Sequence, residues 1–290
     1  LQLTLWQFLI LVISTVLIAA AGNIINDYFD QRTDRVNKPN DIIVGVHVKR
    51  RVAMFVHQIF NLIGLAMAVY LAYSVGMWKL SIVSFFAAAT LWFYSVQFKR
   101  DLIVGNVLIA LLAGLVPILV GIYEIPLLIE TYGQEVVQYF RIQRPSEDPA
   151  LYFKLLFYFI LGYATFAFAL NLIRELQKDM ADVKGDARIG ARTVPLVFGI
   201  KNAKKVTAVL IVGAIIALVI LQQKVVNDPY SLIYMLSAVI LPLLAGLWVN
   251  HRAVKRPQFV RAGNFMKLAM LGGLLYSIVH YYIYYAGELS

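Results

Sequence analysis

Acidic residues gather where an apolar stretch of membrane-spanning length ends. Residues 23–39 read NIINDYFDQRTDRVNKP, and polar side chains recur there with the spacing of one helical face: Asn23, Asp27, Asp30 and Asp34. Like charges three or four residues apart repel, and the repulsion grows as solvent is lost near lipid. The pattern therefore predicts that a positive group compensates these carboxylates.

A second acidic cluster follows another apolar stretch. Residues 174–186 read RELQKDMADVKGD, and the acids on one face are Glu175, Asp179, Asp182 and Asp186. Carboxylate and amide oxygens suit Mg²⁺, which completes its shell with water and substrate phosphate. Two such faces on one side of a helix bundle predict a metal-bound diphosphate. The alternative is a pair of solvated acidic faces, paired with neighbouring Lys and Arg.

A basic pair ends a third apolar stretch. The segment FYSVQFKRD, residues 93–101, carries Tyr94 and Ser95 and then Lys99 and Arg100. By itself such a pair is typical of a helix end that sets membrane topology. Beside a metal-diphosphate site it predicts phosphate binding, through an Arg fork and a Lys point charge.

Composition defines the elements that must position these groups. The 290 residues are 61% hydrophobic and 14% charged, with a mean hydropathy of +0.74, which predicts an all-α integral membrane protein. The absence of cysteine excludes disulfides and a catalytic thiol. The net charge of +10 indicates basic loops rather than a nucleic-acid partner. Eight spans are predicted: 3–26, 52–73, 77–98, 102–123, 151–174, 206–222, 230–249 and 264–285.

Alternation of eight spans places 21 of the 26 Lys and Arg residues on one side of the membrane. Both acidic clusters and the Lys99–Arg100 pair are on that side, which the charge asymmetry predicts to be cytoplasmic. The opposite side has one long connection, 124–150, expected to hold a short interfacial helix. We treat residues 1–290 as one polytopic domain. Because Leu1 already lies in an apolar run, we expect further residues upstream.

Four motifs resemble those of the UbiA-type intramembrane prenyltransferase superfamily. They are NDYFDQRTD at 26–34, YSVQFKR at 94–100, DMADVKGD at 179–186 and RTVPLVFG at 192–199. The resemblance implies a helical bundle around a central cavity, capped on the cytoplasmic side by two Asp-rich loops. The family has nine transmembrane helices and its first motif follows the second helix, so the family's first helix is expected before Leu1.

The resemblance also implies roles for individual residues around two Mg²⁺ ions. Direct metal ligands would be Asn26, Asp30, Asp182 and Asp186, with Asp27, Asp34 and Asp179 supporting them. Lys99 and Arg100 would hold diphosphate. We expect the aromatic faces of Tyr94 and Phe93 to stabilise an allylic cation.

The implied reaction is transfer of a prenyl group from a polyprenyl diphosphate to a hydrophobic acceptor among membrane lipids, with no protein partner implied. The motifs are most similar to the geranylgeranylglyceryl phosphate and chlorophyll synthase-like branch, so a geranylgeranyl donor and geranylgeranylglyceryl phosphate acceptor are favoured. The alternative acceptor is an aromatic quinone precursor of the 4-hydroxybenzoate, dihydroxynaphthoate or homogentisate type. A cation-coupled transporter would place its acids nearer the membrane midplane. A CDP-alcohol phosphotransferase would need a GxxxDxxxD segment after DVKGDAR, which the sequence lacks.

Overall fold

The computed structural model describes residues 1–284, which fold almost entirely into helices. Within that range the backbone contains no named strand and one isolated bridge, between Val44 and Val48. The α-helices are α1 Leu5–Asn37, α2 Arg50–Ser74, α3 Ser81–Val96, α4 Val104–Gln143, α5 Ala150–Arg188, α6 Val194–Phe198, α7 Ile200–Leu221, α8 Pro229–Tyr234, α9 Leu241–Arg252 and α10 Arg256–Tyr284. Short 3₁₀ turns cover Pro39–Asp41, Trp78–Leu80 and Phe98–Arg100, and π-helical turns cover Gln222–Val226 and Met235–Ile240.

Eight helical stretches of the described chain are long and apolar enough to cross a membrane. This confirms the predicted all-α membrane architecture and the predicted number of spans. The π-helical turn at Met235–Ile240 joins α8 to α9, so that Pro229–Arg252 forms one such stretch. Away from its ends, a helix satisfies its own backbone N–H and C=O groups, which is what the bilayer requires.

Three helices are much longer than the predicted spans. α1 has 33 residues, α4 has 40 and α5 has 39. At 1.5 Å per residue, 39 residues extend about 58 Å, whereas the hydrocarbon core is about 30 Å thick. Hydropathy marks only the portion inside lipid. The helical hydrogen bonds continue outside it, so both Asp-rich motifs lie on helices and the expectation of Asp-rich loops was wrong.

The predicted long connection at 124–150 was also wrong. α4 continues without interruption to Gln143, and the connection to α5 contains only residues 144–149. Pro117 and Pro126 both lie inside α4. A proline removes one helical hydrogen bond, but a long helix with packed neighbours tolerates the loss.

The described residues form two compact units. The first contains Leu1–Arg32, Asn40–Phe98 and Gly114–Thr165. Its core includes Leu11, Leu71 and Tyr123. α1 and α2 pack closely at Gly64, where a methyl group would stand 3.2 Å from the Ser14 carbonyl oxygen. Small residues permit this approach, which is how helices associate without a hydrophobic driving force.

The second unit contains Thr33–Pro39, Lys99–Ala113 and the chain from Phe166 onward. One apolar cluster packs α5, α7, α9 and α10 together through residues such as Leu170, Ile211, Leu243 and Met266. A neighbouring cluster packs Leu176 and Met180 of α5 against Ala203, Ala253 and Phe259. These clusters fix the part of α5 that carries the second Asp motif.

Candidate active site

The first motif begins on α1, in the first unit. The Asn26 Nδ2 atom donates a hydrogen bond to the Asp30 Oδ2 atom at 2.8 Å. The two residues are four apart, so one helical turn is enough to bring them together. Asp30 is only 8% exposed, whereas Asp27 is half-buried. A buried carboxylate needs compensating partners, and the Asn26 amide is one of them.

Aromatic and cationic groups surround this turn of α1. The Arg50 guanidinium lies over the Tyr28 ring at 4.6 Å. Phe29 packs edge-on against Trp92, which in turn packs against His57. Sequence reasoning missed this cluster because its members come from three helices and have no shared spacing.

The histidine of that cluster has a structural role. Its Nδ1 atom donates to the Ala21 carbonyl oxygen at 2.9 Å, because a carbonyl only accepts. Asn61 on the next turn of α2 contacts the same ring. His57 therefore ties α2 to α1 near the first motif.

The second motif lies near the end of α5, in the second unit. The Asn106 Nδ2 atom of α4 donates to Asp179 Oδ2 at 2.8 Å. The Arg256 Nε atom, at the start of α10, donates to Asp182 Oδ1 at 3.3 Å. Asp186 is only 8% exposed. Side chains from other helices therefore hold this motif.

Glu175 precedes the second motif by one turn and forms two ion pairs. It is 4% exposed and pairs with Arg174 at 3.1 Å and Lys178 at 3.6 Å. Both cations are on the same helix as Glu175. Spacing groups this acid with the motif, and the structure adds its two ion-pair partners.

The last turn of α1 lies in the second unit and contacts the second motif directly. The Asn37 side chain bonds to the backbone of Asp182 and Gly185. Asp34, three residues earlier on α1, pairs with Lys38 at 3.3 Å. The final acid of the first motif thus belongs to the same compact unit as the second motif.

The basic pair lies on the 3₁₀ turn Phe98–Arg100, just before α4. The Arg192 backbone N–H donates to the Arg100 carbonyl oxygen at 2.8 Å. The chain that follows the second motif is therefore attached to the basic pair within the second unit. Tyr94 and Ser95 are buried at the end of α3 in the first unit, whereas Phe93 is exposed.

The side-chain oxygens of the two motifs are suitable ligands for Mg²⁺. The predicted ligands offer only carboxylate and amide oxygens. As the side chains stand, no three Asp, Glu or His residues within 1–284 are grouped closely enough to hold an ion. Asp34 and Asp182 instead have partly exposed Lys and Arg partners. Such pairs are weak, so a divalent cation is able to replace them.

The chain belongs to the UbiA prenyltransferase family, whose model matches residues 1–271. It is therefore a prenyl-transferring membrane enzyme, as the motifs predicted. Its substrates are a prenyl diphosphate donor and a hydrophobic acceptor, and members of the family are generally Mg²⁺-dependent. Membership disfavours the transporter and phosphotransferase alternatives.

Individual relatives point to one branch of the family. The digeranylgeranylglyceryl phosphate synthase of Methanopyrus kandleri is 31% identical over 265 residues, which cover 89% of this chain and 84% of the relative. The synthase of the same name from Thermococcus sibiricus is 27% identical over 247 residues, which cover 85% of this chain and 74% of that synthase.

A solved structure shows a similar fold. It is described as giving insight into the biosynthesis of digeranylgeranylglyceryl phosphate synthase in membranes. It superposes with a TM-score of 0.56 at 19% identity, and the match covers 93% of this chain and 85% of the other. At this identity the likeness concerns the fold alone.

Proposed function

We propose that this enzyme transfers a geranylgeranyl group from geranylgeranyl diphosphate to geranylgeranylglyceryl phosphate in a Mg²⁺-dependent reaction. The observation that carries the proposal is the name shared by its relatives, one of them 31% identical over 89% of the chain. Digeranylgeranylglyceryl phosphate differs from that acceptor by one geranylgeranyl ether. The motif resemblance favours the same branch over aromatic quinone precursors.

Four side chains would bind the metal directly: Asn26, Asp30, Asp182 and Asp186. Asp27, Asp34 and Asp179 would support them, and we propose two Mg²⁺ ions. Their chemical contribution is to neutralise charge on the diphosphate as it leaves. The buried positions of Asp30 and Asp186 support these roles, since a buried carboxylate keeps a strong field for a bound cation.

The basic pair would hold the diphosphate oxygens. Arg100 offers a planar fork for two oxygens, whereas Lys99 offers a compact charge. Arg100 is exposed, and its backbone is fixed by the hydrogen bond from Arg192. A fixed backbone limits the positions that the side chain can take, which favours a preorganised contact.

The chemical step exchanges one C–O bond for another. The allylic carbon loses its bond to the diphosphate oxygen, and diphosphate departs with the electron pair. The acceptor hydroxyl oxygen then bonds to that carbon and loses its proton. Water must be excluded because it competes for the allylic cation. The buried Tyr94 ring would stabilise this cation through its π face.

We also propose that the two motifs face the cytoplasm within one domain formed by residues 1–290. The charge asymmetry of the sequence supports this orientation. A cysteine introduced at exposed Asp101 should react with a membrane-impermeant thiol reagent only in inverted vesicles. Because residues 1–290 contain no cysteine, labelling within them is specific to that site. Labelling in right-side-out vesicles instead would reverse the assignment.

The acceptor is tested with purified enzyme, labelled geranylgeranyl diphosphate and Mg²⁺. We expect a labelled ether lipid with geranylgeranylglyceryl phosphate and no product with 4-hydroxybenzoate, homogentisate or dihydroxynaphthoate. EDTA, Asp30→Ala and Asp186→Ala should each abolish turnover. Glu147→Ala, on the exposed connection between α4 and α5, is the matched control and should retain it. Product formed only with an aromatic acceptor would overturn the proposal.

A further inference from the structure

Asn37, the last residue of α1, uses both ends of its side-chain amide on the second motif. Its Nδ2 atom donates to the Asp182 carbonyl oxygen at 3.1 Å. Its Oδ1 atom accepts from the Gly185 backbone N–H at 2.9 Å. An amide side chain is needed to donate and accept in this way, because a carboxylate lacks the donor. Exchanging the nitrogen and oxygen positions would break both bonds, so the partners define the orientation.

Gly185 leaves the space that the amide occupies. A methyl group at this position would overlap the Asn37 amide, standing 2.8 Å from its Cγ atom and 2.9 Å from its Oδ1 atom. Glycine is unfavourable inside a helix, yet α5 continues past this residue to Arg188. Gly185 is also buried. The two hydrogen bonds and the steric requirement therefore describe one interlocked contact.

We propose that Asn37 is a positioning residue for the second Asp motif, and that Gly185 is required to admit it. The bonded carbonyl belongs to Asp182 itself, and Asp186 directly follows Gly185. Asp34 lies three residues before Asn37, about 4.5 Å along the helix axis. The same two hydrogen bonds thus set the turn of α1 that carries Asp34 against the turn of α5 that carries Asp182 and Asp186. All these residues belong to the second unit.

The inference rests on the proposed function, because it concerns the geometry of the proposed metal and diphosphate site. Groups that orient metal ligands typically change metal affinity or activity by ten- to a hundredfold when removed. The two hydrogen bonds of Asn37 go to the protein backbone, and we assign it no contact with the prenyl acceptor. Its loss should raise the Mg²⁺ concentration for half-maximal activity and lower kcat, while the acceptor KM stays unchanged.

The test is a double-mutant cycle with Asn37→Ala, Gly185→Ala and both together. Each single change should raise the half-saturating Mg²⁺ concentration, at which activity is half-maximal, about tenfold or more. The double variant should be no worse than Asn37→Ala, because the new methyl group enters the space that the amide has left. Asn37→Asp keeps the acceptor for Gly185 but loses the donor for Asp182, so it should resemble Asn37→Ala.

Two matched controls test the same substitutions elsewhere. Gly162→Ala lies on the same helix, where a methyl group meets nothing within 4 Å. Asn202→Ala removes an exposed amide near the start of α7, which bonds to the Phe198 carbonyl oxygen at the end of α6, four residues earlier. Both controls should keep wild-type Mg²⁺ dependence.

A second measurement separates this inference from the proposed function. Thermal unfolding of each variant is followed with and without Mg²⁺ plus inorganic diphosphate, which needs no acceptor. If the wild type binds these ligands but uses no glycerophosphate acceptor, the proposed function fails. The double-mutant cycle then still tests Asn37, because the Mg²⁺ concentration that gives half of the thermal shift can be compared between the variants. A lower melting temperature with unchanged Mg²⁺ half-saturation would overturn the positioning role, as would single effects that multiply in the double variant.

Discussion

The two Asp motifs are held in different ways. In the first unit, Asp30 is bonded by Asn26, one turn away on the same helix. In the second unit, the motif on α5 is bonded by Asn37 of α1, Asn106 of α4 and Arg256 of α10. The Asn26–Asp30 bond joins neighbouring turns of one helix, whereas the bonds to the second motif come from three other helices. These bonds of the second motif therefore depend on tertiary packing.

The largest expected effect distinguishes a motif acid from an acid that shares only its spacing. Asp186→Asn should reduce kcat by at least about a hundredfold, because a buried charge at the proposed metal site is lost. Glu175→Gln should leave turnover within about threefold, since its partners Arg174 and Lys178 are partly exposed and become hydrated. Steady-state kinetics at saturating Mg²⁺ measure both. Equal losses would mean that Glu175 belongs to the site.

The next largest effect is expected for Asn106→Ala, which tests whether the second motif depends on a side chain of another helix. Asn106→Ala should raise half-saturating Mg²⁺ by about tenfold, because Asp179 loses the amide that orients it. It should also reduce the free energy of unfolding by about 1 kcal/mol. Activity titrations and thermal unfolding in detergent measure these changes, with Asn202→Ala as the control. Wild-type Mg²⁺ dependence would show that Asp179 does not support the site.

A smaller effect of opposite sign is expected at Arg256. Its guanidinium and a divalent cation compete for the Asp182 carboxylate, and a partly exposed ion pair is worth about 0.2–1 kcal/mol. Arg256→Gln should therefore lower half-saturating Mg²⁺ by up to about fivefold. Arg256→Lys retains the charge and should show a smaller decrease. A rise in the diphosphate KM instead would indicate that Arg256 binds the donor.

The smallest effect is expected at Lys38, the i+4 partner of Asp34. The pair lies within the last turn of α1 and its immediate continuation, and such local pairs contribute about 0.3–0.5 kcal/mol. Lys38→Gln should change half-saturating Mg²⁺ by no more than about twofold, and the change should vanish at high salt. A tenfold change would place Lys38 among the groups that contact diphosphate.

Hydropathy predicted the number of spans but not the ends of the helices. Apolar residues report where lipid surrounds the chain, and the ends at Asn37, Gln143 and Arg188 lie in polar sequence. Helical spacing predicted that Asp30 and Asp186 lie on helical faces. The same spacing places Glu175 on the face of the second motif, but it does not reveal the ion pairs of this acid with Arg174 and Lys178.

The sequence by itself determined the membrane class, the eight spans and the family motifs, because each depends on composition or on residues close together in the chain. Only the tertiary structure revealed the partners of the second motif. Asn37 and Asp182 are 145 residues apart, and Asn106 and Asp179 are 73 apart. No local pattern encodes such pairs. They form only where separate helices pack against one another, because this packing brings the polar side chains near the helix ends within hydrogen-bond distance.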